Sequence, residues 1–398
     1  MTVEPTISTS SPGAGTLLRL IRDGQASTRA ELVALTGLAR STVAQRMDAL
    51  LSQQLVVPAG GSVSTGGRPP QMFAFNRDAG VVLAADLGAT HSRVAMTDLG
   101  GEVLAETTKE IPIANGPDAV LTWLEQAFDA MLAEFGRAHA DVRGAGVGVP
   151  GPVEFATGTP VAPPIMPGWD GYRVGGRLAD YFAAPTLVDN DVNIMALGEH
   201  YKAWRAYDHL LFVKVGTGIG CGIITEGRIH RGAQGAAGDI GHIHVPGNLE
   251  ICRCGNRGCL EAVAGGGAMA ARLRAQGIAA ENSRDVVRHV REGRGEAMQL
   301  VRQAGRELGE VLAASVNFFN PGVIVIGGDI AHADEHLLAG VREVVYQRAV
   351  PLGTRSLRIV RSALDDRAGV IGAAAMVIEH VLAPEAVDRM LAGLPQAS

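Results

Sequence analysis

The spacing of apolar residues divides the chain into a short helical head and a long body in which strand and helix periods alternate. Residues 16–22 (T-L-L-R-L-I-R) carry apolar side chains at 17, 18, 20 and 21 and predict a short helix ended by Gly24. Ser27 or Thr28 can cap the next helix, with Glu31 as the capping-box partner. That helix, 29–36, is expected to bury Leu32, Val33 and Leu35 and to stop at Gly37. A third, about 41–53, opens at Ser41 and sets Val43, Met47, Leu50 and Leu51 on one face. Two helices joined through T-G-L-A-R give the tight crossing of a helix-turn-helix. Ser41, Thr42, Gln45 and Arg46 then lie near the start of the third helix, where such side chains reach base edges and phosphates in a major groove. The next stretch, from L-V-V-P-A to Q-M-F-A-F, predicts two β segments around a glycine-rich loop, a wing. In that loop Arg68 sits in G-G-R-P-P, and the following proline holds it extended, as an arginine entering a narrow minor groove must be. The same residues also suit a plain linker. Residues 15–77 are therefore expected to be a winged helix-turn-helix that binds double-stranded DNA. The Ser-, Thr-, Pro- and Gly-rich residues 1–14 are expected to form a disordered tail.

Beyond residue 77 the period changes. Residues 81–86 (V-V-L-A-A-D) form an apolar run, and 94–97 with 103–107 read as returning strands. Asp86 at a strand end, followed by Gly88 and Thr90, can set backbone N–H groups on a phosphate with the carboxylate near a metal. A simple β-hairpin uses the same residue types. A helix is expected over about 117–138, then a strand and loop at 144–152 (G-A-G-V-G-V-P-G-P). At 185–193 a strand runs into a helix opened by Asn190, Asp191 and Asn193. A carboxylate at that junction can accept a proton from a substrate hydroxyl or merely cap the helix. Residues 209–229 predict a strand, a glycine-rich turn containing Gly216, Thr217 and Gly218, and a second strand. Glycines there let the backbone approach a phosphate, or serve close packing in a hairpin.

The sharpest chemical signal is G-D-I-G-H-I-H-V-P-G-N-L-E-I-C-R-C-G-N-R-G-C-L-E at 238–261. His242, Cys252, Cys254 and Cys259 form a His-x9-Cys-x-Cys-x4-Cys array. Three thiolates and one imidazole suit a closed, structural Zn²⁺ site. His244 competes as a ligand, although its side chain should leave the opposite strand face. Cys221 stands apart and is expected to behave as a small apolar residue.

Composition narrows the class. A chain of 398 residues predicts two or three domains, and 47% hydrophobic with 19% charged residues is globular. No apolar run approaches the ~20 residues that span a bilayer, so no membrane partner is expected. The first fifteen residues lack the basic and apolar regions of a secretory signal. Four cysteines are too few for a disulfide framework and fit a reducing cytoplasm. The net charge of −6 is uneven: residues 1–77 hold seven arginines against four acids, so the remainder is at −9. A basic head on an acidic body suits one part that touches phosphates and one that does not.

Taken together, these motifs resemble the ROK family (repressor, open reading frame, kinase). The resemblance rests on D-L-G-A-T at 86–90, G-V-P-G-P at 148–152 and V-D-N-D-V-N at 188–193. It continues through G-T-G-I-G at 216–220, G-D-I-G-H at 238–242, C-R-C-G-N-R-G-C-L-E at 252–261 and V-I-V-I-G-G at 323–328. It implies an α/β body with the two-lobed, actin-like (ribonuclease H-like) sugar-kinase fold. The lobes would be 78–190 and 191–368, with a C-terminal helical segment, 369–398, packed back on the first. Asn190, Asp191, Asp239, His242 and Glu261 would bind a sugar, His242 also serving zinc. Asp86, Gly88, Thr90, Gly216, Thr217, Gly218, Gly327 and Gly328 would face a nucleotide.

Three departures bear on these roles: Asp239 where the family usually has Glu, Ala89 in place of a glycine, and Cys221 where glycine is common. The first alters the sugar site; the others weaken the ATP reading. The expected protein is a sugar-responsive DNA-binding regulator, a repressor of carbohydrate genes, taking a sugar or sugar phosphate as effector. It is expected to be a homodimer or homotetramer, because one short head binds DNA weakly and paired heads read paired half-sites. The alternative is an ATP- and Mg²⁺-dependent sugar kinase, glucokinase-like, with Asp191 as catalytic base and a DNA-binding domain attached.

Overall fold

The computed structural model describes residues 12–60, 71–333 and 335–394. Arg68 and the rest of the wing loop lie outside them, as do residues 1–11 of the tail.

The head begins with α1 (Ala14–Arg22), which buries Leu17, Leu18 and Ile21. Thr28 caps α2 (Arg29–Thr36) in a full capping box with Glu31. Gly37, at φ +69°, ends it in a left-handed conformation that glycine adopts without strain. The helix α3 (Arg40–Ser52) starts one residue before the expected Ser41, with Ala39 at its cap. Of the apolar residues expected inside α2, Leu32 is buried, Val33 is half-buried and Leu35 is 56% exposed. Leu35 lies on the outer side of this eight-residue helix, where Ala34 and Gly37 are exposed as well, while Val33 packs against the core. The wing strands β1 (Val56–Ala59) and β2 (Met72–Phe75) pair antiparallel, Val56 opposite Phe75. Arg29 binds them to the helices: it meets Asp48 of α3 at 2.9 Å and lies over the Phe73 ring at 5.0 Å.

The body contains two five-stranded sheets. The first lobe runs through β3 (Val81–Leu87), β4 (Ser92–Asp98), β5 (Val103–Lys109), α4 (Pro117–Glu134) and β6 (Val142–Val149). It continues with a small hairpin, β7 (Val153–Glu154) and β8 (Thr159–Pro160), then α5 (Val174–Phe182) and β9 (Thr186–Asn190). The helix α6 (Asp191–Lys202) leads to the second lobe: β10 (Leu210–Val215), β11 (Ile219–Thr225), β12 (Arg228–Ile229), α7 (Leu260–Ala264), α8 (Gly266–Ala275), α9 (Ser283–Arg291), α10 (Gly295–Phe319), β13 (Val323–Gly327), α11 (Glu335–Arg348), α12 (Pro351–Thr354) and β14 (Arg358–Arg361). The chain returns through α13 (Ala368–Val381) and α14 (Pro384–Leu391).

The sheet orders are β5-β4-β3-β6-β9 and β12-β11-β10-β13-β14. Each is an antiparallel meander followed by two parallel strands reached by helical crossovers. Strands such as V-V-L-A-A-D-L in β3 are buried on both faces, hence apolar throughout apart from their functional end. One face of the first sheet packs on α4 and α5 around Phe128, Trp169 and Phe182. Its other face receives α13, whose G-V-I-G-A-A-A run lets backbones meet. A Cβ on Gly372 would collide with the Ile194 carbonyl of α6, and one on Gly198 with the Ala368 carbonyl of α13. This close crossing fixes α6 between the sheets: Ile194 faces the first lobe's core, Val192 and Ala196 the second's.

The head is not a tethered bead. Leu17, Leu18 and Ile21 of α1 belong to the same buried cluster as Val377, Val381, Leu382 and Val387 of the C-terminal helices. Gly15 lies so close to Pro384 that a Cβ would strike its backbone, and the Gly15 N–H donates to Asp388 Oδ1 at 2.9 Å. Among the described residues no single helix is long and apolar enough to cross a membrane.

Candidate functional site

A cleft of about 430 Å³ opens between the lobes at the carboxyl ends of the parallel strands, the usual ligand position in open α/β sheets. Register explains its lining. Asp86 on β3 pairs with Gly148 on β6, and Val149 with Asn190 on β9, so the motif residues of three strands end together. In the second sheet Lys214 on β10 pairs with Gly220 on β11 and with Gly327 on β13. Asp86 and Lys214 are each the last residue but one of the first strand in their sheets, so they are topological counterparts.

All five expected sugar residues, Asn190, Asp191, Asp239, His242 and Glu261, line this cleft. Asn190 caps α6, its Oδ1 accepting from the Val192 N–H at 2.9 Å and its Nδ2 donating to the Gly151 carbonyl at 3.0 Å. One amide hydrogen and one lone pair stay available to a ligand. Asp191 accepts from the Val192 N–H through Oδ1 at 2.8 Å, and Lys214 Nζ sits 2.6 Å from its Oδ2. Glu261, on α7, accepts from the Ile219 N–H at 3.3 Å and reaches under the glycine turn; a Cβ on Gly218 would collide with its carboxylate. Asp239 is exposed and stands 4.0 Å from His242.

Of the expected nucleotide residues, Asp86, Gly88, Thr90, Gly216, Thr217, Gly218 and Gly328 line the same cleft. Gly327 does not. It is buried in β13 beneath the Phe212 ring, which a Cβ would strike, so it is a packing glycine. Burial pushes the Asp86 carboxyl up to about 7, against the pull of Lys214 and helped by Asp191. Burial works against the Lys214 charge, but Asp191 and Asp86 outweigh it and hold the ammonium above the usual lysine value. A nucleotide with Mg²⁺ fits this donor set poorly, because the Lys214 ammonium already pairs with Asp191 and pulls on Asp86. Lys214 was the residue sequence reasoning missed. Its signal was a lysine inside an otherwise apolar strand, V-K-V, two residues before Gly216 of the glycine turn.

Beside the cleft the ligand atoms of His242, Cys252, Cys254 and Cys259 all lie within 4.8 Å of one another, a group able to hold a metal ion. Cys254 and Cys259 Sγ are 3.7 Å apart, and Cys252 Sγ is 3.6 Å from His242 Nδ1. These match the edges, about 3.6–3.8 Å, of a tetrahedron with metal–sulfur bonds of about 2.3 Å and metal–nitrogen bonds of about 2.0 Å. The loop is shaped for it: Gly255 (φ +90°) and Gly258 (φ +68°) turn the chain, and Cys252 N–H donates to the Asn256 carbonyl at 2.8 Å. Burial, reinforced by Cys254 and Cys252, pushes the Cys259 thiol up to about 12, while the Asn256 backbone draws Cys254 down to about 7. His244 stands outside the group, its ring against Gly258. Cys221 is buried in the second lobe's core.

In the head, Ser41 and Gln45 are exposed and Thr42 and Arg46 half-buried along the first turns of α3. Among the described residues no side chain caps this helix, which leaves its leading N–H groups open to an anion.

A family model, "ROK family", matches residues 82–380. The chain belongs to the ROK family. The xylose repressor of Caldicellulosiruptor bescii is 30% identical over 380 residues, covering 92% of this chain and 95% of that protein. Among solved structures, a ROK family transcriptional regulator, homolog of the E. coli MLC protein, superposes with a TM-score of 0.81 at 26% identity, covering 95% of this chain and 97% of its own. A ROK family glucokinase from Streptomyces griseus, solved with glucose and AMPPNP, gives 0.63 at 25% identity and covers 75% of this chain and 99% of its own. The two regulators span head and body of this ROK chain; the kinase spans about the length of the body.

Proposed function

We propose that the protein is a sugar-responsive transcriptional repressor whose cleft binds the effector and whose winged head binds an operator. The observation that carries this is the shared core: α1 of the head rests on α13 and α14, and α13 is locked against α6, which bears Asn190 and Asp191 at its start. A sugar that favours one lobe arrangement over another therefore changes where α1, and the DNA-reading α3 behind it, can sit. In this reading the functional units are the head (15–77), the lobes (78–190 and 191–368) and the returning helices (369–398).

The metal is Zn²⁺ in a structural role. Bound through Nδ1, His242 keeps Nε2–H as a donor toward the cleft, so one rigid loop supplies both the metal and the sugar site. Ser41, Thr42, Gln45 and Arg46 read the major groove, Arg68 the minor groove, and two copies of the chain present paired heads to paired half-sites. The test is fluorescence anisotropy with duplexes selected from a random pool, with and without a panel of pentoses, hexoses and aminosugars. Sequence-specific binding whose affinity shifts at least about tenfold with one sugar is the expected result. Absence of sequence preference at moderate salt, with or without every sugar, rejects the reading.

A further inference from the structure

We propose that the cleft is a receptor for an uncharged sugar, with Lys214 as a built-in cation where a divalent metal would otherwise sit and Glu261 as a built-in anion beside the glycine turn. This rests on the receptor reading above and names its ligand class.

Two separate observations point the same way. The first is the ion pair across the base of the cleft. Lys214 Nζ is 2.6 Å from Asp191 Oδ2, while the Val192 N–H holds the other oxygen of that carboxylate. A carboxylate bound to an ammonium is a poor proton acceptor for a sugar hydroxyl but still a good hydrogen-bond acceptor. A divalent cation brought to Asp191 would meet the ammonium at close range, with that carboxylate already paired to it. The second observation is the glycine turn. Its Gly216 N–H is spent on the Gly218 carbonyl, and its Ile219 N–H on Glu261. The Glu261 carboxylate fills the space beside Gly218. A carboxylate thus already stands against the turn and repels a phosphate brought there.

The remaining charge agrees. The cleft lining adds Asp239, Asp329, Asp365 and Asp366, and its Arg93 faces Glu106 at 3.5 Å. Carboxylates suit the hydroxyl donors of a polyol and repel a dianionic ester.

The experiment is thermal-shift titration of the full chain with D-glucose, N-acetyl-D-glucosamine and D-xylose, each beside its terminal phosphate ester, and separately with MgCl2. The wild-type protein is expected to be stabilised by a neutral sugar without Mg²⁺, and not by that sugar's ester. Mg²⁺ alone, at about 10 mM, is expected to raise the Tm of Lys214→Met by about 2–4 °C and to leave wild type and Lys214→Arg unchanged. An ester that stabilises wild type as well as its parent sugar overturns the proposal. So does Mg²⁺ acting equally on wild type and a folded Lys214→Met, or on neither. If no sugar stabilises wild type but the Mg²⁺ contrast is seen, the receptor reading fails while the role of Lys214 is supported.

Discussion

The two lobes repeat one strand order, and their equivalent strand ends carry opposite charges. The first strand of one sheet ends in Asp86, that of the other in Lys214, which pairs with Asp191. The first lobe keeps its carboxylate half-buried, where burial raises its pKa to about 7. The second keeps its cation by pairing it. The second lobe also carries the four-donor metal loop, which has no counterpart among the described residues of the first. A duplicated scaffold thus sets where side chains converge, while single residues set the chemistry.

Breaking the metal loop should have the largest effect. Cys259→Ser removes a buried donor, so metal content measured by atomic emission should fall to near zero and the Tm by about 10 °C. An unchanged Tm would mean the loop is no brace. Next comes the charge pair. Asp191→Asn leaves the Lys214 ammonium without its partner, and sugar affinity should drop at least about tenfold while sugar-free DNA binding persists. Equal loss of both would make Asp191 a folding residue only.

The third prediction concerns pH. Burial pushes the Asp86 carboxyl up to about 7 from its ordinary 3.8, so between about pH 4 and 7 the folded state holds a proton that the unfolded chain releases. Stability therefore falls as pH rises through that window, and the penalty is complete above it. Asp86→Asn should match wild type near pH 4 and melt about 2–4 °C higher at pH 8. A pH-independent offset would contradict this. The smallest effect is expected from Gly218→Ala, whose Cβ must displace the Glu261 carboxylate. Sugar binding should weaken about three- to tenfold, and Glu261→Gln should leave little further loss on that background.

Much of this arrangement was legible in the chain, for a physical reason. The capping box at Thr28 and Glu31, the stop at Gly37 and the polar start of α3 are set by neighbours within one turn. Cys252, Cys254 and Cys259 lie within eight residues, so their spacing alone suggests a shared metal. Misreadings came where contact outranked local pattern. Leu35 has helical spacing from Leu32, but it falls on the exposed side of α2. Gly327 stands in a motif beside the cleft-lining Gly328, yet the strand's alternation turns it into the core.

The sequence by itself therefore determined the helix-turn-helix, the His/Cys cluster able to hold a metal and the glycine turn, because each depends on residues close along the chain. Only the tertiary structure decided that Lys214 neutralises Asp191, 23 positions away, and that Gly15 is held by Asp388, 373 positions away. Those contacts exist because two sheets close on one cleft and the chain's last helices return beneath its first. No local propensity encodes either event.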